Sequence, residues 1–198
     1  MPQVLVPGYG RPYLEGDSLD HTGPLVFVVE NVLSAGECAG LVDRIETLGP
    51  TAAPITTARG FEMRTDIRNN TRVMFDDPAF AALLFDRVAA HVPQDLCGMK
   101  PVGANERFRC YRYDVDQRFA PHYDGAYIRT EDERSLLTFM VYLNDGFSGG
   151  ATKFHDFDID VTPKAGMALL FQHFLLHEGC FVTRGVKYAL RSDVMYRR

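Results

Sequence analysis

From Arg107 onward the chain breaks into short runs rich in β-branched, aromatic and aliphatic residues: Phe108 to Tyr113, Leu136 to Leu143, Ala168 to Phe171, Leu175 to His177 and Tyr188 to Tyr196. Turn-forming residues separate them, as in Asn144-Asp145-Gly146, Ser148-Gly149-Gly150 and Pro163-Lys164-Ala165-Gly166, so each run predicts a strand. Upstream the pattern is helical. Ser34 with Glu37 three residues later reads as a capping box opening a helix to about Leu48. Pro78 sits at the first turn of a second helix, where Phe80, Leu83, Leu84 and Val88 recur at helical spacing and predict a core-facing stripe that ends near Pro93. Leu25 to Val29 predicts one early strand. Residues 1–24, interrupted by Pro2, Pro7, Pro12 and Pro24 and by Gly8, Gly10, Gly16 and Gly23, predict an irregular arm. The polar stretch Thr51 to Arg72, ending in Arg68-Asn69-Asn70-Thr71-Arg72, reads as an exposed loop, with a substrate lid as the second reading. Glu131-Asp132-Glu133 reads as a solvated loop. Helices first and many strands after predict an α+β domain with a β-sandwich or barrel as its working half.

A length of 198 residues fits one domain with a single buried core, divided into the arm (1–24), helical support (25–107) and a β core (108–198). The net charge of −5 argues against broad binding to nucleic acid or to an anionic membrane. The longest apolar stretch, Leu136 to Leu143, is too short to cross a bilayer, and the first residues lack a basic segment followed by an apolar one, so no secretory signal is expected. Cys38, Cys97, Cys110 and Cys180 are scattered without a C-x-x-C, which points away from a zinc knuckle or disulfide framework and toward a reduced, cytoplasmic setting.

The candidate chemistry centres on Tyr111 to Asp124, Y-R-Y-D-V-D-Q-R-F-A-P-H-Y-D. On an extended strand His122 and Asp124, two apart, leave the same face. An imidazole and a carboxylate joined by a second histidine make the two-histidine, one-carboxylate set that suits non-haem iron. A lone His-x-Asp is more often a surface pair, and His173 and His177 both offer the second imidazole. Tyr127, just past the pair, reads as core packing or a substrate contact.

Further residues give the pattern a name. Tyr113 lies ahead of His122; Tyr142-Leu143-Asn144-Asp145 and Gly149-Gly150-Ala151-Thr152-Lys153-Phe154 follow; and His177 is followed by Val182, Gly185 and Lys187. Residues 108–198 thereby resemble the iron(II)- and 2-oxoglutarate-dependent dioxygenases of the prolyl 4-hydroxylase-like group, whose pattern runs Y-x-x-G-Q-x-[FY]-x-x-H-x-D, Y-L-x-D with G-G-x-T-x-F, and H-x-x-x-P-V-x-x-G-x-K. The resemblance implies a double-stranded β-helix of jelly-roll, cupin-like form supported by N-terminal helices. It implies iron(II) held by His122, Asp124 and His177, and 2-oxoglutarate bound through Lys187 and Tyr113, with Thr152 lining the same pocket. It also implies hydroxylation of an unactivated C–H bond by O2 with release of succinate and CO2. Only His177 places Lys187 at the family offset, leaving His173 as a packed residue or one that supports the ligands from behind. Arg191 shares a strand face with Lys187, either binding a carboxylate of substrate or co-substrate or pairing with an acidic neighbour. Two positions depart from the pattern, Asp116 for glycine and Phe181 for proline; neither removes a ligand.

Three ligands on one side of an octahedral ion leave room for a bidentate 2-oxo acid and for oxygen. A dicarboxylate in a barrel needs a cation at its far end. Lys187 at about 4 Å and an effective dielectric near 20 would contribute on the order of 4 kcal/mol before desolvation is subtracted. A peptidyl proline is the default substrate from the resemblance, with a free amino acid or small metabolite as alternatives. A cupin-like metal enzyme that does not use 2-oxoglutarate, and a metal-binding β-barrel module without turnover, are the rival readings.

Overall fold

Strand alternation decides which side chains meet. In the central strand Glu133–Tyr142, Leu137, Phe139 and Val141 enter one core, while Met140 and Tyr142 turn to the other. Its neighbour Lys187–Arg197 sends Leu190, Val194 and Tyr196 to the first core and Ala189 to the second. Ala168–Gln172 divides Leu170 from Leu169 and Phe171 in the same way. The computed structural model describes residues 1–57 and 60–198.

These strands belong to a nine-stranded antiparallel sheet, ordered Gln3–Val6, Val26–Val29, Ala168–Gln172, Glu133–Tyr142, Lys187–Arg197, Arg107–Tyr113, Thr71–Asp76 and Thr51–Ala52, with Lys100–Ala104 also pairing on Lys187–Arg197. A four-stranded sheet, ordered Ile159–Val161, Thr152–Phe154, His177–Gly179 and Phe119–His122, packs on it through Phe154 and Val161. The opposite face of the large sheet carries two helices, Ala35–Leu48 and Pro78–Val88. Two facing antiparallel sheets with helices behind one of them are the expected jelly-roll type of architecture.

The first helix starts where the capping box predicts: the Ser34 hydroxyl accepts from the Glu37 backbone N–H, and Glu37 accepts from the Ser34 N–H at 2.8 Å. Cys38, Leu41 and Ile45 form its inner face. The second helix is capped by Asp77, but its buried stripe is Ala81, Leu84 and Val88, and Leu83 faces solvent. Of the expected stripe, Leu84 and Val88 are buried and Phe80 packs on the core; Leu83 alone falls outside it and Ala81 takes its place, because an all-apolar run such as Phe80–Leu84 contains several helical phases.

Other expectations change. The arm contains the edge strand Gln3–Val6, and the support region holds five strands between Thr51 and Ala104 besides its helices. Within Thr51 to Arg72, of which residues 58 and 59 lie outside the described residues, short strands form and Arg68 and Asn70 are buried; the stretch is not an exposed loop. Glu133 is also buried, held by Arg129 at 2.7 Å and Arg197 at 2.5 Å, because it opens the central strand. Tyr127 is partly exposed and lies outside both main cores. No helix among the described residues is long and apolar enough to cross a membrane.

Candidate active site

The pairing of the small sheet brings the two imidazoles together. His122 ends the strand Phe119–His122, His177 begins His177–Gly179, and the two are direct cross-strand partners. Asp124 follows two residues after His122, its backbone N–H donating to the His173 carbonyl at 3.1 Å. One ligand atom from each of His122, Asp124 and His177 lies within 4.8 Å of the others. Nε2 of His177 is 3.6 Å from Asp124 Oδ2, and Nε2 of His122 is 3.8 Å from Oδ1.

The surroundings set which nitrogen is free. A carbonyl can only accept, so Nδ1–H of His122 donates to Ala120 O at 2.8 Å and Nδ1–H of His177 to Leu175 O at 2.9 Å. Both Nε2 lone pairs therefore face the common centre, as metal ligation requires. Burial pushes both imidazoles down, His122 to about 3, and keeps them neutral. Asp124 remains ionised: burial raises its carboxyl, but the Arg191 guanidinium, the neighbouring imidazoles and the Thr138 hydroxyl together outweigh it and hold the group below the usual range. A pair of borderline imidazole nitrogens with one anionic oxygen fits iron(II).

The large sheet supplies the far wall through its odd-numbered side chains. Lys187 lies opposite Tyr113, Ala189 opposite Tyr111, and Arg191 opposite Arg109. Lys187 is buried; its ammonium donates to Gly150 O at 2.6 Å and lies 5.2 Å from the Tyr113 ring and 5.4 Å from that of Tyr142. No carboxylate is within ion-pair distance among the described residues, and burial pushes the amine down to about 8. Thr152 Oγ1 and Tyr142 Oη share a hydrogen bond of 2.7 Å. The space between Lys187 and the histidines, bounded also by Tyr113, Thr152, Met140 and Arg191, is about 20 Å³. That holds about one water, so a five-carbon guest requires these side chains to withdraw.

His122, Asp124, His177, Tyr113, Thr152, Lys187 and Arg191 thus all line one cavity. His173 does not join the metal-competent set: a turn separates it from His177, and its ring binds Ser135 at 2.8 Å and Thr138 at 3.0 Å. Arg191 pairs with Asp124 at 2.9 Å and with Asp193 at 3.4 Å. Sequence reasoning missed Thr138, whose hydroxyl donates to Asp124 at 2.6 Å, although one hydroxyl inside an apolar strand was a usable signal. It also missed Arg109 and Tyr111, which line the outer part of the site together with Arg68 and Arg72 of the stretch whose second reading was a substrate lid. At the two departures, Asp116 takes the left-handed φ of 63° that glycine favours, and Phe181 is half-exposed under the Arg118 guanidinium at 4.7 Å.

Residues 108–192 match the family model described as the 2OG-Fe(II) oxygenase superfamily. Over 83% of its length the chain is 24% identical to "Probable prolyl 4-hydroxylase 9" of Arabidopsis thaliana, of which it spans 66%, about two-thirds. A prolyl-4-hydroxylase from Pseudomonas putida superposes with a TM-score of 0.62 at 21% identity, covering 88% of this chain and 93% of that one. A Trichoplax adhaerens prolyl hydroxylase in complex with a hypoxia inducible factor oxygen degradation domain peptide fragment superposes with a TM-score of 0.64 at 16% identity, covering 86% and 83%. At these identities the structural likeness establishes the fold.

Proposed function

We propose that this chain, whose residues 108–192 belong to the 2OG-Fe(II) oxygenase superfamily in its prolyl hydroxylase-like form, hydroxylates an unactivated C–H bond of an organic substrate using iron(II), 2-oxoglutarate and O2. The observation that carries this reading is the buried Lys187 ammonium, without an anion, across a narrow cavity from two neutral imidazoles and an ionised carboxylate.

In this reading His122 and His177 offer Nε2 lone pairs and Asp124 one oxygen to the metal. When bound, iron(II) with 2-oxoglutarate and O2 supplies the oxidation that converts C–H to C–OH while the co-substrate leaves as succinate and CO2. Lys187 takes the remote carboxylate of 2-oxoglutarate, exchanging the Gly150 carbonyl for an anion. Tyr113 and Thr152 flank that end, and Met140 and Ala189 help keep water from it. Arg191 holds Asp124 ionised and oriented, and its position beside the metal-binding centre lets it meet the co-substrate's other carboxylate. A reduced cytoplasm suits an iron(II) enzyme with four unpaired thiols.

A cupin-like enzyme that does not use 2-oxoglutarate would leave Lys187 a buried cation with no purpose, an expensive arrangement. The deciding experiment is anaerobic titration of the iron(II) protein with 2-oxoglutarate. A weak visible charge-transfer band is expected, reduced in Lys187→Ala, and admission of O2 should release succinate. A band that ignores Lys187→Ala refutes the assigned anchor; a normal band with no succinate under any substrate points to a binding module.

A further inference from the structure

Outside the metal-binding group the site opens into a cavity of about 650 Å³ lined by four arginines, Arg68, Arg72, Arg109 and Arg191. The chain as a whole is acidic, with a net charge of −5, so this clustering is local. Asp124 is the only acid on the cavity wall among the described residues, and in the reading above it is committed to the metal. Asp193 behind the wall is shared by Arg109 at 3.7 Å and Arg191 at 3.4 Å. Arg68 and Arg72 have no carboxylate partner among the described residues.

Arg68 is the most telling of the four. It is 4% exposed, its Nε donates to Asn70 Oδ1 at 2.7 Å, and its buried Nη2 has no acceptor. Arg191 Nε is likewise buried without a hydrogen bond, and Arg109 Nη1 is buried with only the 3.7 Å ion pair to Asp193. Aromatic faces hold Arg68 in place, with its guanidinium 4.4 Å from the Phe119 ring and 4.6 Å from that of Tyr111. Phe119 in turn stacks on His122 at 3.5 Å. The unpaired guanidinium is therefore one ring away from a metal-binding imidazole. Burial and the like charges of Arg68 and Arg109 push the Arg72 guanidinium down, the sign of cations crowded without enough anions.

Buried cations with open N–H groups are costly unless a ligand pairs them. We propose that this cavity binds substrate through a free carboxylate, so that the substrate is a small carboxylic acid, such as an N-substituted amino acid, with its reacting carbon within a few bonds of that group. An interior residue of a neutral polypeptide offers only carbonyls and would leave Arg68 and Arg72 unpaired. Planar guanidinium forks match a carboxylate in two-point hydrogen bonding, which suits arginine here better than lysine. The inference rests on the hydroxylase reading and names the substrate class of that same site.

The test uses the anaerobic protein loaded with iron(II) and 2-oxoglutarate and follows calorimetric binding of matched acids and amides: N-acetylproline, N-acetylleucine and N-acetylglutamate against the corresponding carboxamides. At least one acid should bind about tenfold or more tightly than its amide. Arg68→Lys and Arg72→Gln should each erase most of that preference while the charge-transfer band with 2-oxoglutarate persists. Arg72 is only half-buried, so its variant keeps the test open if the Arg68 variant misfolds. The proposal is overturned if no acid outbinds its amide, if both variants keep the preference, or if an N- and C-blocked acidic hexapeptide binds while the small acids do not. Absence of the charge-transfer band in the unaltered protein would instead overturn the hydroxylase reading.

Discussion

Arg191 Nη1 lies 2.9 Å from Asp124 Oδ1, while the other oxygen of the same carboxylate accepts the Thr138 hydroxyl at 2.6 Å. Both oxygens are thus oriented before any metal arrives, one by a charge and one by a neutral donor that His173 positions in turn at 3.0 Å. Outer partners of this kind typically contribute 10–100-fold to metal affinity. Thr138→Val keeps the shape and removes the donor, so iron(II) affinity measured by competition with a chelator is expected to fall by about that factor. An unchanged affinity would show that the hydroxyl does not support the carboxylate.

Lys187 carries a pH signature. Its amine is pushed by burial from 10.5 down to about 8, so below that pH the ammonium is present to meet a carboxylate, and above it the charge is lost. Affinity for 2-oxoglutarate is expected to be flat up to about pH 8 and to fall by up to tenfold per unit above it, measured by the charge-transfer titration between pH 7 and 9. Stability of the ligand-free protein runs the opposite way. Between about 8 and 10.5 the unfolded chain holds more protons than the folded one, so stability rises with pH by at most about 1.4 kcal/mol per unit. Lys187→Met should abolish both slopes.

The candidate metal-binding set was legible because its spacing is local: His122 and Asp124 are two residues apart, and the Gly149 to Phe154 and His177 to Lys187 runs carry their own markers. The longer strands were legible from their apolar runs, but Phe119–His122 and Thr152–Phe154 carry no such run, and Asp124 lies beyond the end of the strand that holds His122. The arginine wall was not legible, since Arg68 and Arg72 reach the site from a different segment than Arg109 and Arg191. Pairing of Thr71–Asp76 on Arg107–Tyr113, with Arg72 opposite Tyr111, creates that neighbourhood, and single-residue spacing carries no trace of it. Glu133 misled for a related reason: its acidic neighbours suggested solvent, but its place at the start of the central strand put it between two arginines.

The place of Leu83 on Pro78–Val88 gives a stability test. Leu84 is fully buried against the large sheet and Leu83, beside it, faces solvent. Leu84→Ala is expected to cost about 2–5 kcal/mol and Leu83→Ala within about 0.5 kcal/mol, both from urea unfolding of the metal-free protein. Equal costs would mean that the helix presents the other phase.

The two consecutive glycines before Thr152 separate stability from binding. Both adopt left-handed φ, 74° at Gly149 and 65° at Gly150, so either alanine variant is strained by more than about 1 kcal/mol. What their Cβ atoms meet differs. At Gly149 the new carbon falls 2.3 Å from the Phe181 carbonyl oxygen, a backbone atom tied into the pairing of Ser148–Gly149 with Val182–Arg184. Neither strand can yield without losing that ladder, so Gly149→Ala should lower Tm sharply. At Gly150 the neighbours are side chains: Phe147 Cε2 at 2.9 Å, Lys187 Cδ at 3.1 Å and Val182 Cγ2 at 3.2 Å. These can move, but moving the Lys187 stem displaces the ammonium that would anchor 2-oxoglutarate. Gly150→Ala is therefore expected to fold with a smaller drop in Tm than Gly149→Ala and to bind 2-oxoglutarate at least about tenfold more weakly, a loss of about 1.4 kcal/mol or more. Thermal unfolding beside charge-transfer titration reads the two effects separately, and a Gly150→Ala protein with full 2-oxoglutarate affinity would remove Lys187 from the binding site.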